Sequence, residues 1–205
     1  MTCVFVAPVG AFQEVKLTGE LLEYIEKTKS EPLRCQRRTA YALLFNSLGD
    51  LGLGSVKLLR EPSGKPYIVD SDGVRPYEIS LSHTDGLVAV CISDTHEVGI
   101  DIEGEIFGER ARRIEERFLL GISPVDKELS LDKISLYGNV SQVPEPPAEV
   151  LKKWTFVEAI GKCHGAGFRA IRDIETIGKE MEISSVSLEY SGKKYFLVLA
   201  ARDKK

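Results

Sequence analysis

The chain has 205 residues, 43% of them hydrophobic, and a formal net charge of −4. That length and apolar content suit a globular protein with a sizeable core, and the negative balance excludes a general nucleic-acid binder, whose phosphate contacts need surplus Lys and Arg. No apolar run reaches the roughly 20 residues that span a bilayer, and "MTCVFVAPVG" carries neither a basic n-region nor a small-residue cleavage site, so a cytoplasmic protein without membrane segments is expected.

In chain order, "CVFVAPV" reads as a short buried strand and "TGELLEYIEKTK" as a first helix opened by Thr18. "LRCQRRTAYALLFNSLGDLG" predicts a second helix with Ala40, Leu43, Leu44 and Leu48 on one side. Its basic residues stand near the start, where the helix dipole opposes them, so their placement needs another reason, such as an anion. Strands follow in "GKPYIV", "YEISLSH", "LVAVCIS" and "EVGIDIE", with Asp85-Gly86 marking a hairpin turn. Residues 106 to 120 return to helix, with Phe107, Ala111, Ile114 and Phe118 at helical spacing and Arg110, Arg112, Arg113 and Arg117 around them. From Gly121 to Pro147 the interruptions Pro124, Gly138, Pro144, Pro146 and Pro147 read as a mobile loop excursion. "AEVLKKWTFVEAIGKCHG" is a long helix, and a hairpin around Ser191-Gly192 closes the chain. Helices then strands, twice over, give an α+β fold with a boundary just after Glu103. Cys3, Cys35, Cys91 and Cys163 lack C-x-x-C spacing, which predicts reduced, mostly buried thiols.

"EVGIDIE" is the informative stretch. In a strand, Val98, Ile100 and Ile102 share one face, and Gly99, Asp101 and Glu103 share the other. Two carboxylates side by side are tolerated when water screens them or when something positive sits between. On the later helix Glu158 shares a stripe with Leu151, Trp154 and Thr155. Three carboxylates without nearby His or Cys are what a hard cation such as Mg²⁺ prefers, with substrate phosphates as remaining ligands. The same spacing also fits an exposed edge strand and a surface Glu158–Lys162 pair. Lys65 in "SGKP" and Ser82 and His83 in "SLSH" are donors for phosphate oxygens, although Gly-Lys-Pro is also an ordinary turn and a lone strand-end His an ordinary structural residue. The chain contains neither G-x-x-x-x-G-K-S/T nor G-x-G-x-x-G, so any phosphate site is of another kind.

The ordered set "RRT", "GKPYI", "SLSH", "VGIDIE" and "KWTFVEAIGK" resembles the 4′-phosphopantetheinyl transferases of the larger, pseudo-dimeric, surfactin-synthetase-activating type, from about Arg37 to Gly167. The resemblance implies two similar α+β subdomains, 1–104 and 105–205, related by a pseudo-two-fold axis. It implies Mg²⁺-dependent transfer of the phosphopantetheine arm of coenzyme A to a serine of an acyl- or peptidyl-carrier protein by a cytoplasmic monomer. By position, Asp101, Glu103 and Glu158 match the metal ligands, and Lys162 matches a phosphate-contacting lysine. Ser82 and His83 match coenzyme A contacts, Lys65 matches the lysine near the nucleotide, and Arg38 matches an arginine for the 3′-phosphate. The resemblance also leads us to expect an arginine-bearing helix that docks an acidic carrier through Arg110, Arg112, Arg113 and Arg117.

The match departs at Val157, where the family pattern has a lysine; Lys152 and Lys153 precede it by a turn. The interval from Ile102 to Lys153 is long, and the general base is open between Asp126 and Glu128. Lys27 and Lys29 are further candidates for the 3′-phosphate. Two rival readings remain: a weakened homologue that binds coenzyme A or a carrier without transfer, and a Mg²⁺-dependent nucleotide pyrophosphate hydrolase.

Overall fold

A computed structural model of the chain describes residues 1–17, 19–53, 55–116, 128–165 and 174–204, the side chain of Glu175 excepted. Thr18, Arg117, Phe118 and Asp126, all invoked above, lie outside the described residues. The first strand, β1 (Thr2–Pro8), is buried over its first six residues, as its unbroken apolar run requires. Helices α1 (Gly19–Glu26) and α2 (Glu31–Asp50) follow. Ser30 caps α2 by accepting from the Leu33 amide, and Pro32 sits in the first turn, where a missing N–H costs nothing.

Strands β2 (Lys57–Arg60) and β3 (Pro66–Val69) form a small separate hairpin. Then come β4 (Glu78–His83), β5 (Leu87–Ser93), β6 (His96–Gly104) and α3 (Gly108–Ile114). The predicted excursion over 121–147 is not all loop: it contains β7 (Lys133–Leu136), parallel to β1, and β8 (Ser141–Gln142), antiparallel to a strand near the C-terminus. The chain ends in α4 (Glu149–His164), α5 (Ile174–Gly178), β9 (Glu182–Tyr190) and β10 (Lys193–Asp203). Ser191 and Gly192, both at positive φ, turn β9 into β10, as the hairpin reading requires.

Two four-stranded sheets result, ordered β4-β5-β1-β7 and β6-β10-β9-β8. Val4, Val6, Leu87, Ala89 and Cys91 of the first meet Val98, Ile100, Ile102, Leu197 and Leu199 of the second in a common core. The opposite face of the first sheet packs on Leu43, Leu44 and Leu48 of α2, and that of the second on Leu151, Phe156 and Ile160 of α4. The fold is therefore mixed α+β, in four layers: helix, sheet, sheet, helix.

The sheets do not divide at Gly104. By hydrogen bonding β6 belongs with β10, and β7 with β1. β5 and β6 lie in different sheets although only Asp94 and Thr95 join them. Ser93 Oγ accepts from the amides of Thr95 and His96 at 3.3 and 3.0 Å, which turns the chain from one layer into the other. All four cysteines are free, and Cys3, Cys91 and Cys163 are buried. Among the described residues no helix is long and apolar enough to cross a membrane.

Candidate functional site

β4 and β6 are edge strands of different sheets, and serine hydroxyls join them. Ser80 Oγ accepts from the Ile100 amide at 2.9 Å, and Ser82 Oγ accepts from the Ile102 amide at 3.3 Å. Both contacts advance two residues along each strand in the same direction. The alternation in "SLS" is thus a side-chain ladder that satisfies edge N–H groups which would otherwise be buried and unpaired.

The Gly99, Asp101 and Glu103 face of β6 turns toward α4. A β-carbon on Gly99 would lie 2.2 Å from both the Ala159 carbonyl oxygen and the Cys163 amide nitrogen, so only glycine lets the helix lie this close. Glu158 and Lys162, one turn apart on α4, are thereby set beside the two strand carboxylates. Lys162 Nζ donates to Asp101 Oδ1 at 2.7 Å, to Ser82 Oγ at 2.9 Å and to the Ile100 carbonyl at 3.1 Å. Ser82 in turn donates to Asp101 Oδ1 at 2.8 Å. Its hydroxyl, with one donor and two lone pairs, is fully used by the protein.

Charge accumulates here. Burial, then the charges of Asp101 and Glu103 against that of Lys162, push the Glu158 carboxyl up to about 7. Among the described residues Glu158 makes no hydrogen bond or ion pair. Glu103 is also raised, by burial first, although Arg110 holds it at 3.0 Å. His83 is lowered by burial and then by the charges of Lys162 and Arg37, which leaves a neutral imidazole; its Nδ1 is buried without a hydrogen-bond partner among the described residues. Paired perturbations of this kind cluster at functional sites.

Other expected residues fall variously. Lys65 and Lys162 line one open pocket of about 240 Å³ with Ser63, Ser80, Gly161 and Gly165, and Lys65 lies 4.0 Å from Glu78. Glu103 and Arg110 line a second, of about 280 Å³, beside the exposed Phe107. Arg38 is elsewhere: it pairs with Glu26 and lines a different cavity with Arg34 and Lys16. Arg37 is the arginine whose charge reaches His83, and it also donates to Thr28 at 2.7 Å. Sequence reading passed over Arg37, the other half of the "RR" doublet, as well as Ser80 and the Arg110–Glu103 pair. Glu128 is exposed and bridged through its backbone to Ile183. Arg112 and Arg113 are tied within their own helix to Glu109, and Arg112 also to Glu116, so the basic face is partly neutralised. Val157 is 2% exposed in the core under α4, a place with no room for a solvated lysine, while Lys153 pairs loosely with Glu149 at 3.9 Å.

Among the described residues no three His, Cys, Asp or Glu side chains are gathered tightly enough to hold a metal ion. The expected three-carboxylate cage is therefore not drawn together; Lys162 supplies the positive charge at Asp101. The donor chemistry nonetheless suits a hard dication: carboxylate oxygens only, one of them half-buried, without a hydrogen-bond partner among the described residues, and raised by burial and then by its neighbours' charge. Mg²⁺ commonly takes one or two carboxylates and fills its shell with waters and substrate phosphates. Compared with protein-family models and with curated proteins, the chain matches none.

Proposed function

We propose that the chain is a Mg²⁺-dependent 4′-phosphopantetheinyl transferase acting on an acyl- or peptidyl-carrier protein with coenzyme A as donor. One observation carries this reading: the Lys162–Asp101–Ser82 contact brings "WTFVEAIGK", "GIDIE" and "SLSH", far apart in the chain, to one point. Two sheets, each covered on its outer face by one long helix, agree with a pseudo-two-fold transferase fold. The reading includes a cytoplasmic monomer with carrier docking near α3.

One or two of the carboxylates Asp101, Glu103 and Glu158 would hold Mg²⁺, and the ion would neutralise pyrophosphate charge. The chain's own groups do the rest. Lys162 and Lys65, on one pocket, donate to phosphate oxygens, and neutral His83, close enough to Lys162 to feel its charge, adds an N–H. The carrier serine oxygen attacks the phosphorus that bears the pantetheine arm. A new P–O bond forms, the bond to the nucleotide phosphate breaks, and adenosine 3′,5′-bisphosphate leaves. The serine proton passes to a base. Glu128 and Asp126 are the candidates for that base.

A second reading, a homologue that binds without transferring, is favoured by Val157, buried where the family pattern has a phosphate-contacting lysine. Incubation with coenzyme A, Mg²⁺ and an apo carrier, followed by weighing of the carrier, separates the two. A phosphopantetheine adduct that Asp101→Ala abolishes supports transfer. Bound coenzyme A with an unmodified carrier supports the second reading, and nucleotide release without a carrier supports a hydrolase.

A further inference from the structure

The Lys162 ammonium has three N–H donors, and the chain fills all of them: Asp101 and Ile100 on β6, Ser82 on β4. A metal ion at Asp101 would meet this ammonium 2.7 Å from the same carboxylate oxygen, a like-charge contact that the half-buried surroundings screen poorly. One of the two has to yield. Asp101 cannot, since its side chain is 9% exposed on a strand held by β10 on one side and by the β4 serines on the other. Lys162 can: its side chain is 30% exposed, it sits on a flexible four-carbon stem, and it already lines the open pocket that Lys65 shares.

We infer that Lys162 is an exchangeable occupant of the cation place at Asp101, closing it to a divalent ion until an anionic ligand in the Lys65 pocket draws the ammonium away. The inference rests on the transferase reading for the identity of that ligand, a pyrophosphate. The ligand gains a lysine by taking it from Asp101, and Asp101 then lacks a cation that the metal supplies. Metal and pyrophosphate therefore bind cooperatively, each weakly alone. Linkage makes the coupling reciprocal: whatever factor the ligand confers on the metal, the metal confers on the ligand. Ser82 is the pivot, since its hydroxyl donates to Asp101 Oδ1 in a bond separate from the one it accepts from Lys162.

The test is Mn²⁺ binding to the full chain, followed by electron paramagnetic resonance and by the rise in melting temperature on adding Mn²⁺, with and without coenzyme A. In the wild type, saturating coenzyme A should tighten Mn²⁺ by about ten-fold or more. Lys162→Met should bind Mn²⁺ about ten-fold tighter than wild type without coenzyme A, and coenzyme A should then add little. Lys162→Arg, which keeps the cation, should stay near the wild-type affinity, and Asp101→Asn should cancel the gain in the double variant. Circular dichroism melts check that each variant folds. If folded Lys162→Met binds Mn²⁺ no better than wild type without coenzyme A, the exchange is wrong. If Mn²⁺ tightens in Lys162→Met while neither protein binds coenzyme A, the exchange stands and the transferase reading falls.

Discussion

Gly99 lies so close to Cys163 that a β-carbon built on the glycine would fall 2.2 Å from the cysteine's amide nitrogen and 2.8 Å from its Cα. The obstacle is helix backbone, which cannot turn aside as a side chain can. Gly99→Ala should therefore push α4 off β6 at a cost of about 1–3 kcal/mol, the range of core overpacking. Urea unfolding measures it. An unchanged midpoint would mean that the helix does not rest on the glycine.

Ser80 and Ser82 play similar parts in the seam but differ in two contacts. Both accept an amide of β6, and only Ser82 also holds Asp101 and Lys162. Each Ala variant should lose about 1–3 kcal/mol, since a buried amide is left without an acceptor. Under the transferase reading, Ser82→Ala should also lower kcat, while Ser80→Ala leaves kcat close to wild type. Equal kinetic losses would show that seam stability alone matters.

Glu158 holds its proton up to about 7 in the folded chain, against 4.5 as its ordinary value. The folded state thus binds more protons than the unfolded one between those values, so this group makes stability fall as pH rises through that window. In metal-free buffer Glu158→Gln should be more stable than wild type above about pH 7, by on the order of 1 kcal/mol after solvent screening. The difference should fade toward pH 4.5. Melting curves across that range test it, and a pH-independent difference would contradict the burial of charge at this carboxyl.

Val157 fills a core position where the pattern of the transferases that the sequence resembles has a lysine. Val157→Lys, the change that would complete the resembled pattern, should destabilise the chain by several kcal/mol rather than improve transfer under the transferase reading, because the ammonium would be desolvated among Phe156, Ile160 and Phe196. A stable variant with faster transfer would show that the helix can rotate this side outward.

Much of the local structure was legible. The unbroken apolar run of β1, the amphipathic α2, the α4 stripe and the Ser191-Gly192 turn follow from periodicity and turn chemistry within a few residues. The strands inside 121–147 were not. β7 is "KISL", one exposed and three half-buried residues without strict alternation, and its pairing is a parallel contact with a strand over a hundred residues earlier. Nor did the short Asp94-Thr95 link announce that β5 and β6 part company into different sheets. Such a link ordinarily makes a hairpin, and only the Ser93 contacts show the corner.

At the site, the alternation of "VGIDIE" by itself determined that two carboxylates and a glycine share one face of a strand, and the helical repeat that Glu158 and Lys162 stand one turn apart. Which cation meets Asp101 was decided only by tertiary structure. The lysine lies 61 residues along the chain, and it reaches Asp101 because Gly99 admits α4 and the β4 serines stitch the sheets at that level. The same holds for Arg37 over Arg38: adjacent residues point about 100° apart on a helix, and only the placement of α2 on its sheet selects the one whose charge reaches His83. Side-chain chemistry and periodicity are properties of short segments, whereas the encounter of opposite charges depends on the distances between layers, set by packing across the whole chain.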